Sequence, residues 1–464
     1  MTPPTDTEMS PFLTGVFAPV DDELNVTDLG VEGTLPDALQ GWYLRNGPNP
    51  QFAPIGSYHI FDGDGMIHGL EIREGRARYR NRWVESKGLL AERKRGRAVF
   101  GGLSEFRTPD PDVAEEAGFM KNTANTHLIR SGGRLLALME AARPTEMTDE
   151  LATVGEYDFG GALHGPMTAH PKIDPVTGEM VFFGYSPLPP YLRLHVADAA
   201  GNLVRSDDIE LPAPVMMHDF AVSERRVVFF DLPAVFDLTA MLAGGEGIRW
   251  DPSNGARIGV LDRRAETAEM HWLEVDPFYV FHFLNAHDDG DAVVVTGCRS
   301  PRLNIGFGPD AAVEDVHPTL HRWRIDPIAG TVTEEQLDDR PGDFPRVNDD
   351  YAGLATRYGY VAHAATWGDG EVLFDGVVKH DLKEGTDSVV TYGPRVVSGE
   401  AAFVADPTRT GEDAGWLMNF VHDLDSDTSS FVVLDAASLE TVARVHLPRR
   451  VPSGFHGSWF PDGD

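Results

Sequence analysis

HVADAAGNLV, residues 195–204, reads as a strand, an aspartate that opens a short turn, and a second strand. The same form recurs as GVLDRRAETAEM (259–270), WRIDPIAGTV (323–332), VKHDLKEGTDSVV (378–390) and FVVLDAASLETV (431–442). The turn-opening residues are Asp198, Asp262, Asp326, Asp381 and Asp435, spaced 64, 64, 55 and 54 apart. One such hairpin is unremarkable, because an aspartate carboxylate accepts turn N–H groups in any β protein. Five at a near-constant period in 464 residues imply about seven units. Four-stranded blades around a central axis are the architecture of that kind. The expected fold is therefore all-β, a seven-bladed β-propeller, in a single domain over 1–464.

The rest of the chain has the same texture. Gly (48) and Pro (33) punctuate short apolar runs such as MVFFGY, RVVFF and AVVVTG. Helical periodicity is expected only at 232–243, LPAVFDLTAMLA, and at 111–119. VMMHDF, 215–220, looks like the start of an apolar strand and carries His218. A lone histidine there would read as a hydrogen-bonded core residue.

The repeat changes that reading. His218 lies 20 residues after Asp198, His282 lies 20 after Asp262, and His456 lies 21 after Asp435. Asp343 and Glu400 fall near the same phase, 17 after Asp326 and 19 after Asp381. All five are expected at equivalent places on equivalent innermost strands, where side chains face one another across the axis. His170, in TAHPKIDP, is a further candidate, whereas His195, His271, His317, His380 and His446 read as surface or core residues. Four neutral imidazoles suit iron, copper, zinc or nickel better than calcium or magnesium. Tetrahedral zinc would be saturated by four, while an octahedral ferrous ion would keep two positions open. Carboxylates would then accept the second N–H of each ring, and Glu140 and Glu400 lie on strand-like segments suited to that.

Composition narrows the class. The net charge of −34, from 39 basic and 73 acidic residues, argues against a nucleic-acid partner. A single cysteine, Cys298, excludes an intramolecular disulfide and a cysteine-ligated metal. The stretch MTPPTDTEMS lacks a basic segment followed by an apolar run, and no apolar run is long enough to span a bilayer. A cytoplasmic protein is expected, with no obligate protein partner.

Several stretches together resemble the carotenoid cleavage oxygenases: YLRNGPNP (43–50), FDGDGMIHG (61–69), KNTANTH (121–127), LLALMEAARP (135–144), TAHPKIDP (168–175), MHDF (217–220), FHFLNAHDDGD (281–291), DFPRVN (343–348), GEAAFVADP (399–407), DAGWLMNFVHD (413–423) and GFHGSWF (454–460). The resemblance implies a propeller with a helical dome over an axial Fe(2+), held by His170, His218, His282 and His456. It implies Glu140, Asp343 and Glu400 as the acids behind the rings. The family usually has glutamate at Asp343, so that contact is expected to run through water or be lost. Thr126 matches a threonine placed beside an open metal position, and His127 stands where asparagine is expected. The implied chemistry is cleavage of a carbon–carbon double bond by dioxygen, giving two carbonyl products.

Substrate class is less legible. Stilbene-cleaving relatives carry a lysine directly before the acid that matches Glu140; here that residue is Met139, better suited to a polyene than to a phenolate. Phe281 and Phe344 are expected on the substrate tunnel. A carotenoid or apocarotenoid is favoured over a phenolic alkene, a stilbene or an isoeugenol-type phenylpropene yielding an aromatic aldehyde. Two other classes remain: a metal-free propeller that binds proteins, and a zinc or calcium propeller hydrolase. Residues 232–243 are read as a dome helix that could also make weak peripheral contact with a membrane through Phe236 and its neighbours.

Overall fold

The computed structural model describes residues 10–265, 269–303, 305, 317–366 and 373–463. Turn residues 266–268 of the second repeat and the leading residues 1–9 lie outside that range. The strands form seven antiparallel sheets arranged as blades, plus one two-stranded hairpin. The innermost strands are His127–Ser131, Lys172–Ile173, Ala221–Val222, Tyr279–Asp289, Gly342–Arg346, Ala402–Ala405 and Gly457–Pro461.

The aspartate turns explain the period. Each of the five residues sits between the third and fourth strands of its blade. Its Oδ1 accepts the backbone N–H of the residue two further on, Ala200, Arg264, Ile328, Lys383 and Ala437 respectively. This bond is local, so a short polar side chain is all that each hairpin requires.

Closure needs distant pieces of chain. Gly41–Arg45 pairs with Gly457–Pro461, and Val31–Gly33 pairs with Thr441–His446. Two blades therefore contain strands from both ends of the sequence, which leaves the ring without a gap between first and last repeat.

Between blades the core is aromatic. Phe183, Phe220 and Phe229 meet across two neighbouring blades with centroids 5.0 to 5.7 Å apart. Phe220 is fully buried there, so the residue two before it, His218, is held at the axis. Burying one such ring contributes about 1.5–3 kcal/mol.

Three expectations need correction. VMMHDF does not begin a strand: Met216 bonds Ala234 through its backbone N–H, and the two-residue strand starts only at Ala221. The segment 232–243 is not one helix, for Ala234–Phe236 pairs with Ile248–Trp250 and only Leu238–Leu242 is helical. Asp237 separates them by accepting the N–H of Ala240 as an N-cap. The helix expected at 111–119 is present as Pro111–Ala117, and Lys87–Arg95, capped by Ser86, was not foreseen. The dome is consequently short helices joined by irregular chain. Among the described residues no helix is long and apolar enough to cross a membrane.

Candidate metal centre

Seven blades bring seven residues to one end of the axis. Thr126, His170, His218, His282, Asp343, Glu400 and His456 each lie in, or no more than three residues before, the innermost strand of their own blade. His170, His218, His282 and His456 present ring nitrogens that all lie within 4.8 Å of one another. Their exposures are 7, 7, 8 and 4%. The Nε2 of His218 is 2.9 Å from that of His170 and 3.2 Å from that of His282.

The two acids expected in the ring stand one step behind it. His218 donates from Nδ1 to Glu140 Oε2 at 2.6 Å, His282 to Asp343 Oδ1 at 2.9 Å, and His456 to Glu400 Oε1 at 3.0 Å. Asp343 thus reaches its histidine directly, contrary to the expectation of a bridging water or a lost contact. Two features make up for the shorter side chain. The register of the innermost strand shifts between Asp343 and Arg346, and Asp343 Oδ1 also accepts the Phe344 N–H at 2.8 Å. The buried Cys298 thiol lies near the same carboxylate; burial, reinforced by Asp343, pushes that thiol well above its usual range and keeps it protonated. Sequence reasoning used Cys298 only to exclude a disulfide and a cysteine-ligated metal, and missed this.

These partners decide the tautomers. Each Nδ1 that donates to a carboxylate leaves Nε2 as a bare lone pair. Three such lone pairs, together with the ring of His170, converge in a buried space, which is unfavourable unless a cation lies among them. The donor set therefore fits a metal. Burial, with the neighbouring rings, holds His170 well below the usual imidazole range. Burial lowers His456 too, against the pull of Glu400. Burial alone would lower His282, but the charge of Asp343, with Asp219 and Glu400, raises it. Burial would raise Glu400, yet His456 and Arg346 bring it down to about 2. Imidazoles each backed by a carboxylate are what a metal site needs.

Neighbours lock the ring. Asp219 ties three blades together: its Oδ1 accepts Lys172 Nζ at 2.7 Å, and its Oδ2 accepts the Phe283 N–H at 2.9 Å. His127 bonds through Nδ1 to Ala169 O at 2.9 Å and through Nε2 to Ser458 Oγ at 3.0 Å. Burial and the nearby His456 push His127 down to about 3, so it stays neutral as a wedge beside the ring. Gly457 must be glycine, because a Cβ there would collide with the Tyr43 hydroxyl. Thr126 donates its hydroxyl to Asn125 Oδ1 at 3.0 Å, which leaves the methyl as its free branch.

A cavity of about 420 Å³ is lined by the rings of His218, His282 and His456. Thr126, Met139, Phe281 and Phe344 all line it. Phe281 packs edge-on to His218 at 5.2 Å, and Phe344 lies 5.1 Å from His282 and 5.2 Å from His456. Phe344 has φ of +52°, a left-handed conformation that turns its ring toward the cavity instead of the sheet. Two side chains expected elsewhere are also on this wall. Phe236 stacks on Tyr185 at 5.8 Å and lines the cavity, so it is not a free docking side chain. His317, expected at the surface or in a core, lines it as well.

Fold and site together define a propeller with an axial four-histidine centre, suited to a metal, beside an apolar cavity. A family model described as retinal pigment epithelial membrane protein matches residues 17–461. The carotenoid cleavage oxygenase of Mycobacterium tuberculosis is 36% identical, over 97% of this chain and 98% of that protein. The carotenoid 9,10(9',10')-cleavage dioxygenase 1 of Arabidopsis thaliana is 37% identical, over 96% and 89%. The crystal structure of Pseudomonas brassicacearum lignostilbene dioxygenase superposes with a TM-score of 0.91 at 30% identity, covering 98% of this chain and 99% of that one. Cobalt-substituted apocarotenoid oxygenase of Synechocystis gives 0.85 at 29%, covering 96% and 97%. The chain belongs to this carotenoid oxygenase family and is an oxidoreductase of the dioxygenase class.

Proposed function

We propose that this protein is a non-haem Fe(II) dioxygenase that cleaves a carbon–carbon double bond of a carotenoid or apocarotenoid to two carbonyl products. The observation that carries the reading is the convergence of four imidazoles, three of them backed by carboxylates, at the wall of a phenylalanine-rich cavity.

The donor spacing supports an ion with open positions. Two nitrogens at right angles around an ion, each ~2.1 Å from it, stand ~3.0 Å apart, against ~3.4 Å for a tetrahedral pair. The observed 2.9 Å lies at the first value and the 3.2 Å midway between the two. A ferrous ion held by His170, His218, His282 and His456 would bind and activate dioxygen. In the overall reaction the C=C bond and the O–O bond break and two C=O bonds form. The alkene supplies the electrons, so no external reductant is consumed.

The chain's own residues supply placement. Glu140, Asp343 and Glu400 hold the Nδ1 protons, so that Nε2 faces the centre. The Thr126 methyl restricts one approach, while Phe281 and Phe344 press an apolar chain against the rings and exclude water. Met139 offers an adaptable apolar contact where a phenolate would need a cation. Exposed Phe119 (66%) and Met120 (50%) at the cavity wall suit weak peripheral contact with a membrane holding such a substrate.

The second reading is a stilbene or phenylpropene substrate, favoured by the likeness to lignostilbene dioxygenase. Iron-loaded protein incubated with apocarotenals, stilbenes and phenylpropenes, with mass spectrometry of the products, separates the two. Exclusive cleavage of an aromatic alkene would overturn the carotenoid reading.

A further inference from the structure

The cavity has a polar wall that the histidine ring does not use. Tyr58 lines it and is 9% exposed. Among the described residues its hydroxyl makes no hydrogen bond, and the oxygen is not fully enclosed, so it can take a partner from the cavity. The hydroxyl rests against Gly63, where a Cβ would stand 2.6 Å from it. Gly63 lies between Asp62 and Asp64, whose charges both act on the phenol. Asp62 is already satisfied, its two oxygens taking the N–H groups of Leu103 at 2.8 Å and His59 at 3.1 Å. Lys121 Nζ lies 2.6 Å from Asp64 Oδ1 and 2.6 Å from Glu92 Oε2. Its ammonium has three donors and these acids use two. Lys121 and Glu92 line the cavity too.

One side chain joins this wall to the metal end. Asn125 donates to Phe61 O at 2.9 Å and Gly63 O at 2.8 Å, and it accepts from Thr126. Distance between the two ends is therefore set by backbone, not by a mobile loop tip. In a cavity walled largely by apolar and aromatic side chains, a free hydroxyl and a spare ammonium donor side by side are polar groups suited to fix a ligand's orientation. Three carboxyl groups around one ammonium make the patch hostile to a carboxylate.

We propose that Tyr58, assisted by Lys121, binds an alcohol or aldehyde oxygen at the end of an elongated apolar alkene, and so selects oxygenated polyenes and sets which double bond lies over the histidines. This rests on the double-bond cleavage reading above. It predicts discrimination against both the parent hydrocarbon and the corresponding acid.

Tyr58→Phe removes only the hydroxyl, which has no protein partner to lose. Binding is measured under nitrogen on metal-loaded protein, by tryptophan fluorescence, for a polyene aldehyde, its alcohol, its acid and the parent hydrocarbon. The kcat/KM of each is then measured in air. In the wild type, aldehyde and alcohol should bind roughly 3- to 10-fold more tightly than the hydrocarbon, the worth of one neutral hydrogen bond. In Tyr58→Phe that preference should vanish, with hydrocarbon binding and the melting temperature unchanged, and the cleaved bond should become less uniform. An identical preference in the variant overturns the inference, as does a lowered melting temperature, which would give the hydroxyl an internal role. If no polyene is cleaved while a stilbene is, the proposed function fails, and the binding ratios still decide the role of Tyr58.

Discussion

Asp343→Ala is the perturbation with the best-defined outcome. Asp343 is 8% exposed, and its Oδ1 takes both the His282 Nδ1–H and the Phe344 N–H. Alanine leaves the imidazole N–H buried without an acceptor, a cost of about 1–3 kcal/mol. The ring also loses what holds its tautomer and angle. At 1.4 kcal/mol per decade the metal dissociation constant should rise ~10- to 100-fold. Cobalt(II) titration, followed by its visible absorption, reads this without turnover, and a thermal melt on the same samples excludes unfolding. Asp343→Glu is expected to behave differently from what the family pattern alone would suggest. The carboxylate already reaches His282 and is backed by Cys298, so one more methylene overpacks the site by about 1–3 kcal/mol. Cys298→Ala should relieve that crowding, making the double variant bind metal more tightly than Asp343→Glu alone. Equal cobalt affinity in wild type and Asp343→Ala, with both folded, would refute the reasoning.

Other outcomes follow from the same geometry. His282→Ala should abolish metal binding while keeping the far-ultraviolet spectrum, since the blades and not the ion carry the fold; stoichiometric metal in this variant would remove His282 from the ligand set. His195 is buried against Phe182, and burial lowers it to about 4 from 6.5. The unfolded chain then takes up a proton below pH 6.5 before the folded one does, so the stability due to neutral His195 is present above 6.5 and lost as pH falls toward 4. His195→Phe should therefore show a shallower fall in melting temperature than wild type over that interval, and parallel curves would contradict it. With a net charge of −34, raising salt from a few millimolar to 0.15 M, where the screening length is ~8 Å, should raise the melting temperature by relieving self-repulsion. A fall on adding salt would show that specific ion pairs outweigh the net charge.

What could be read in advance was whatever a local rule writes repeatedly. An aspartate turn is closed by bonds to residues two to four positions on, so its five copies carried the blade period without knowledge of the fold. That period set His218, His282 and His456 in register, the segment TAHPKIDP offered His170, and the family motifs added Thr126. Only the tertiary structure decided what meets across blades. Asp343 and Glu400 share the histidines' phase, yet they stand behind the ring because each is drawn to the Nδ1 of an adjacent blade's histidine, His282 on the preceding blade and His456 on the following one. Cys298 meets Asp343 from the second strand of the preceding blade, and no pattern in the chain announces a pairing between positions so far apart. The apolar run 232–243 shows the same limit from the other side: its composition suits helix or strand, and pairing with Ile248–Trp250 settled the strand. Phe236 was thereby turned onto Tyr185 at the cavity wall, because side-chain direction along a strand follows from its partner and not from its own sequence.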